Sequence, residues 1–220
     1  MNIANALKDY HNLSKEVQDF SLEIEKNQDI INSITTEYKG FQIMYSDLKI
    51  NPPFLFIGMN PGAGYYKDQN HQNVMNFGLS NRMDYCQENY KLAQATRSLF
   101  TKSEFDVQVL DKCCKTNFYF ISTTGEKHLN SIIKKLDPLD FEKKSKNWNK
   151  RLIEIIKPQR IICESIYAFR KVIEEKEIKA EYFSNTMYAK WDEIEILGYK
   201  RHGSRIRNEK ETIQFLNRFH

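Results

Sequence analysis

Four short apolar runs set the limits on what this 220-residue chain can fold into. They occupy 54–57 (FLFI), 117–121 (NFYFI), 160–163 (RIIC) and 194–197 (IEIL). Pro52 and Pro53 lead into the first run, and Gly58 stops it. Runs this short suit strands buried on both faces of a parallel sheet. Between and after them lie stretches with helical spacing at 88–101, 139–157, 165–175 and 208–219. In the second of these stretches Trp148, Leu152 and Ile156 share one face. Strands alternating with helices predict an α/β fold with a four-stranded, mostly parallel sheet flanked by helices. In such sheets ligands gather at the carboxyl ends of the strands.

An apolar stripe runs ahead of this pattern through Ile3, Leu7, Tyr10, Leu13, Val17, Phe20 and Ile24. It predicts a helical segment over 1–40, closed by Gly40, with a break near Leu13 where Asn12 or Ser14 caps a second helix. The remainder, 41–220, reads as one α/β domain. The stripe suits packing on that domain or, as a homodimer contact, on a second subunit. Residues 64–87 are polar and aromatic without period and read as a long loop, a kind that is usually functional.

Composition excludes several classes. Aromatics are 13% of the chain, against disorder. No window approaches 18 apolar residues, and the first residues lack a basic stretch followed by an apolar one. The expectation is therefore a cytoplasmic protein with no membrane partner. Cys86, Cys113, Cys114 and Cys163 form no CxxC pair, so reduced thiols are expected, with neither metal nor cofactor. The net charge of +4 is unremarkable, but Lys200, Arg201, Arg205, Arg207 and Lys210 crowd into eleven positions. Such density suits phosphate contact, although a lysine-rich face is also an ordinary solvated surface.

Glycine is scarce, at eight residues, yet Gly58, Gly62 and Gly64 fall in one short stretch, FIGMNPGAG (56–64). Neither the GK[ST] ending of a P-loop nor GxGxxG spacing is present. A plain Gly-Pro turn after a strand explains the stretch equally well, since Asn60 suits turns. The fourth run leads into HGSRIRN (202–208), which places His202 among the basic residues.

Taken together, FIGMNPG and HGSRIRN resemble the two motifs of the uracil-DNA glycosylase superfamily. They are closest to its single-strand-selective monofunctional and mismatch-specific branch. Asn117, in TNFY, stands where that family carries an Asn that reads the flipped base, and the resemblance covers roughly 160 residues, from 53 to 210. It implies a monofunctional DNA glycosylase that hydrolyses the N-glycosidic bond of a flipped uracil or modified pyrimidine. An abasic site is left, as in base-excision repair or in defence against phage with modified genomes. The implied catalytic residues are Asn60, orienting water, and His202, donating to the base carbonyl that gains charge. Gly58, Met59, Tyr66, Phe77 and Asn117 would contact the base. Lys200, Ser204, Arg205, Ile206 and Arg207 would contact DNA, single- or double-stranded, with Arg205, Ile206 or Arg207 as the wedge. The small Ala63 and Gly64 leave room for a bulky base. The second motif departs from the family's H-P-S-P-x-N: Gly203 replaces the first Pro, and Arg205 stands in place of the second. Asn60 replaces the Asp of the most active members. A non-cutting DNA-binding module on the same scaffold is the alternative.

The chemistry agrees with the resemblance. An enzyme acting on a stacked base must extrude it, at a cost of a few kcal/mol. A neutral amide such as Asn60 is no strong base, but it can hold a water by hydrogen bonds. The Asn117 amide carries both a donor and an acceptor, which suits a pyrimidine edge.

Overall fold

The structure, a computed structural model, describes residues 2–62, 74–174 and 178–219. Two compact units share the chain. The first takes Met1–Met44, Asn60–Gly78 and Asn117–Ile155, and the second takes Tyr45–Met59, Leu79–Thr116 and Ile156–His220. The helical N-terminal segment therefore runs on into a unit that also recruits two later stretches, where the sequence suggests a single domain over 41–220.

The second unit is built on a six-stranded sheet in the order β4-β2-β6-β9-β8-β7. Its strands are β2 (Leu55–Gly58), β4 (Cys114–Asn117), β6 (Arg160–Cys163), β7 (Ala180–Tyr182), β8 (Thr186–Trp191) and β9 (Ile194–Tyr199). β2, β6 and β9 run parallel, whereas β8 and β7 are antiparallel to their neighbours. The sheet is thus mostly parallel, as expected, but an antiparallel edge makes it larger than the four strands expected. β7 and β8 lack a continuous apolar run, because they form the partly exposed edge.

Register sorts the side chains onto two faces. Phe56, Ile162 and Leu197 align across the parallel strands, as do Ile57, Cys163 and Gly198. The first row joins Phe54, Tyr199 and the aromatic core contributed by α3 (Asp84–Gln87), α4 (Lys91–Thr101) and α8 (Glu209–Asn217). Phe54 alone meets Phe100 at 5.4 Å and Phe105 at 5.1 Å between ring centroids. Full burial of rings like these stabilises by about 1.5–3 kcal/mol each. The second row lies under α7 (Ile166–Ile173), which comes so close that a Cβ on Gly198 would sit 2.6 Å from Phe169. β9 runs on through Lys200 into a two-stranded ribbon, β10 (Arg201–His202) and β11 (Arg205–Ile206).

The first unit holds α1 (Ile3–Lys26), α2 (Gln28–Ile34), α5 (Glu126–Lys135), α6 (Phe141–Ile156) and a small sheet. In that sheet β1 (Tyr38–Gln42) lies between β3 (Val74–Asn76) and β5 (Ile121–Thr123). The helical break falls at Asn27 and not near Leu13. Asn27 ends α1 through its backbone N–H and caps α2 by accepting from the Ile30 N–H. Leu13 is fully buried within an unbroken stripe, and the Ser14 hydroxyl donates to the Phe77 carbonyl, so neither marks a helix end. Gly40 lies inside β1 and ends no helix.

The stripe packs within its own unit. Phe20 stacks on Phe141 at 5.7 Å and meets Trp148 at 5.4 Å. Ile3 and Leu7, at its start, remain exposed.

The run 117–121 is not one strand. β4 ends at Asn117, buried Phe118, Tyr119 and Phe120 bridge the gap, and β5 begins in the other sheet. Asn149 of α6 donates to the Phe118 carbonyl, which keeps that buried oxygen paired outside any strand. The expected loop 64–87 holds β3 and α3 in its described part. No helix among the described residues is long and apolar enough to cross a membrane.

Candidate functional site

The first motif begins where β2 ends. Gly58 and Met59 are buried in the second unit, and Asn60 opens a stretch of the first unit. That stretch is pinned to β5. Thr123 N–H donates to the Pro61 carbonyl at 3.2 Å, Ser122 Oγ donates to the same oxygen at 3.3 Å, and Gly62 bridges to Thr123.

Asn60 is half-buried, and its Nδ2 donates to Thr123 Oγ1 at 2.9 Å and to the Pro61 carbonyl at 3.0 Å. Thr123 Oγ1 sends its own proton to the Gly125 carbonyl at 3.0 Å, so it can only accept from Asn60. This fixes which way round the amide lies. Both amide protons are engaged, and Oδ1 is presented as an acceptor. An acceptor in that position can hold the O–H of a water.

The first unit also carries Asn117 and Phe77. Asn117 is 6% exposed at the end of β4, so it stands at a strand terminus where the sequence suggested a strand start. Phe77 is half-buried, and α1 grips its backbone: the carbonyl accepts from Tyr10 Oη at 3.1 Å and from Ser14 Oγ at 2.9 Å. Burial pushes the Tyr10 phenol far above its usual range, so it remains a donor. The N-terminal helix thus positions the segment that carries Phe77, a role no motif announces. Ala63, Gly64 and Tyr66 lie outside the described residues.

The second motif is a hairpin in the second unit. Arg201 pairs with Ile206 and His202 pairs with Arg205 across a two-residue tip, Gly203 and Ser204. Gly203 has φ +56°, which explains the missing proline, because a pyrrolidine ring holds φ near −65°. Opposed residues share a face and neighbours alternate. Arg201 and Ile206 therefore face inward, while His202 and Arg205 face outward with Lys200 and Arg207, and exposure follows this alternation. Ile206 is 8% exposed and packs in the aromatic core. Its side chain is thus turned into the core, unlike Arg205 and Arg207, which are exposed. Ser204 is half-buried at the tip.

The candidate residues therefore fall into two sets. Asn60, Phe77 and Asn117 belong to the first unit. Gly58, Met59, Lys200, His202, Ser204, Arg205, Ile206 and Arg207 belong to the second.

One cluster has no counterpart among the sequence motifs. Lys115 of β4 is buried, with Nζ 2.8 Å from Asp84 Oδ2 and 2.9 Å from Tyr90 Oη. Its ammonium lies 3.9 Å from the Tyr85 ring centroid and 4.8 Å from that of Tyr45. The Tyr85 hydroxyl in turn donates to Glu164, which is 1% exposed. Burial first, and then the neighbouring carboxylates, push both Tyr85 and Tyr90 far upward, so the phenols stay protonated. The one signal available in the sequence was a lysine directly after the buried pair Cys113 and Cys114.

The four cysteines are free thiols, and burial pushes Cys86 up to about 11. No group of three or more His, Cys, Asp or Glu among the described residues could hold a metal ion. No protein-family model matches the chain, and no curated protein matches it either.

Proposed function

We propose that this protein is a monofunctional DNA glycosylase acting on uracil or a modified pyrimidine. The observation that carries the reading is the polarity of Asn60, whose amide protons are held by Thr123 and Pro61 while Oδ1 is left to accept. In hydrolysis the C1′–N bond breaks and positive charge gathers on the sugar. The oxygen of the water held by Asn60 then bonds to C1′, and one of its protons ends on the departing base. Little base strength is needed once the sugar is cationic, so an amide suffices. In this reading Asn117, carried by the same unit as Asn60, pairs with the pyrimidine edge.

The test uses oligonucleotides carrying uracil, hydroxymethyluracil or glucosylated hydroxymethylcytosine, followed by alkali. Strand scission is expected on at least one of them. Asn60→Ala should slow it by about 100-fold or more, the scale of losing one oriented polar group. No scission on any substrate, or scission unchanged in Asn60→Ala, overturns the reading.

A non-cutting DNA-binding module is the second reading. It is favoured by the exposure of His202 among Lys200, Arg205 and Arg207, where an imidazole suits phosphate as well as a base. A mobility shift without scission would establish it.

A further inference from the structure

The basic residues of the ribbon share their face with an exposed tyrosine. Along β9 and β10 the alternation Gly198, Lys200, His202 stays on the side of the sheet that α7 covers, because Gly198 is the residue pressed against Phe169. Arg205 and Arg207 stand opposite His202 and Lys200 on that side. Tyr182, at the end of β7, pairs with Met187, and Met187 pairs with Gly198, so Tyr182 opens on the same face. It is 63% exposed, on the edge strand of the sheet. The next residue, Phe183, turns the other way and packs on Phe215 at 4.4 Å. The turn after it is tied to the ribbon: Lys200 Nζ donates to the Ser184 carbonyl at 2.7 Å, and Lys200 N–H donates to the Asn185 carbonyl at 2.7 Å. The row of cations and the tyrosine are therefore joined by hydrogen bonds within the second unit.

We propose that this face binds a single strand of nucleic acid, with Arg205 and Arg207 on its phosphates and an unstacked base on the Tyr182 ring. Cations along a strand path with an exposed aromatic ring beside them is the combination that single-strand binders use. A duplex offers no free base face for Tyr182 to cover. A second copy of the chain seated on the strip would bring its own arginines against these. The inference rests on the glycosylase reading only in naming the form of its substrate.

The experiment measures fluorescence anisotropy of the full chain with fluorescein-labelled dT20 and with a 20-base-pair duplex, across a salt series. Tighter binding of dT20 than of the duplex is expected. Tyr182→Ala should weaken dT20 binding by about fivefold or more, and Tyr182→Trp should restore it. Arg205→Ala with Arg207→Ala should flatten the salt slope by about 1.4, some 0.7 for each phosphate no longer neutralised. Duplex binding as tight as dT20, or dT20 affinity indifferent to Tyr182→Ala, overturns the proposal. So does a dimer that Tyr182→Ala dissociates without changing dT20 affinity. Base release assayed in parallel separates the two readings. Release that persists while dT20 binding ignores these variants removes the single-strand face and keeps the glycosylase. Binding lost in the variants, with no release from any substrate, does the reverse.

Discussion

The second unit treats its cations in two opposite ways. Lys115 is sealed inside, with Asp84 and Tyr90 on its nitrogen and the Tyr85 ring against it. Lys200, Arg205 and Arg207 stand together on the outside of a hairpin. Charge counting along the sequence registers both as positive residues near a strand end. Only the fold separates a charge that holds the interior together from charges that face solvent.

The sharpest way to break this contrast is to remove the buried ammonium. Lys115→Ala leaves Asp84 as a lone charge in the interior, and a loss of about 3–5 kcal/mol is expected in urea unfolding. Adding Asp84→Asn should recover much of that loss, and strict additivity of the two changes would show that the residues do not act as a pair. Next comes the shape of the hairpin. Gly203→Ala places a side chain at φ +56° and should cost about 1 kcal/mol in the same measurement. Gly203→Pro should cost more, since its ring cannot reach that angle.

Smaller still is an acid effect where the β7–β8 turn meets α8. Glu211 accepts from the N–H groups of Asn185 at 2.9 Å and Thr186 at 3.0 Å, and from the Thr186 hydroxyl at 2.7 Å. Burial alone would raise its carboxyl, but these donors outweigh burial and hold it below the usual carboxylate range. A carboxylate lowered in the folded state stabilises above its unfolded pKa and stops doing so as pH falls through the folded value. Thermal stability should therefore drop below about pH 4, and Glu211→Gln should flatten that limb of the Tm–pH curve. Smallest of all, Arg205→Ala with Arg207→Ala should leave stability within about 0.5 kcal/mol of the parent. A larger loss would mean that the outer row serves the fold after all.

The parallel strands were legible because burial on both faces leaves continuous apolar runs: β6 falls at 160–163 as expected, and β2 and β9 within two residues. The helices α6, α7 and α8 were legible from their apolar spacing. β7 and β8 were not, because an edge hairpin mixes Tyr182 and Lys190 with Met187 and Ala189. The step between sheets at Phe118–Phe120 was hidden for the opposite reason. Those residues are as buried as a strand, and an apolar run does not record which sheet it serves.

Of the candidate site, the turn that carries Asn60 could be read from Gly58, Pro61 and Gly62. The orientation of its amide could not, since Thr123 arrives from sixty-three residues away. The basic cluster was visible as composition. Its sorting into an inner Arg201 and Ile206 and an outer row needed the ladder.

The interleaving of the two units has a consequence for biosynthesis. β2 (Leu55–Gly58) leaves the ribosome early, yet its inner neighbour β6 is made about a hundred residues later, and β9 later again. Until those strands emerge, β2 has only the edge strand β4 beside it, itself about sixty residues behind, and its other edge stays open. Pairings so distant in sequence are slow to form, and the waiting chain is prone to aggregate. A nascent chain halted before β6 should therefore lean on a chaperone, whereas α1 and α2 can coil as soon as they appear.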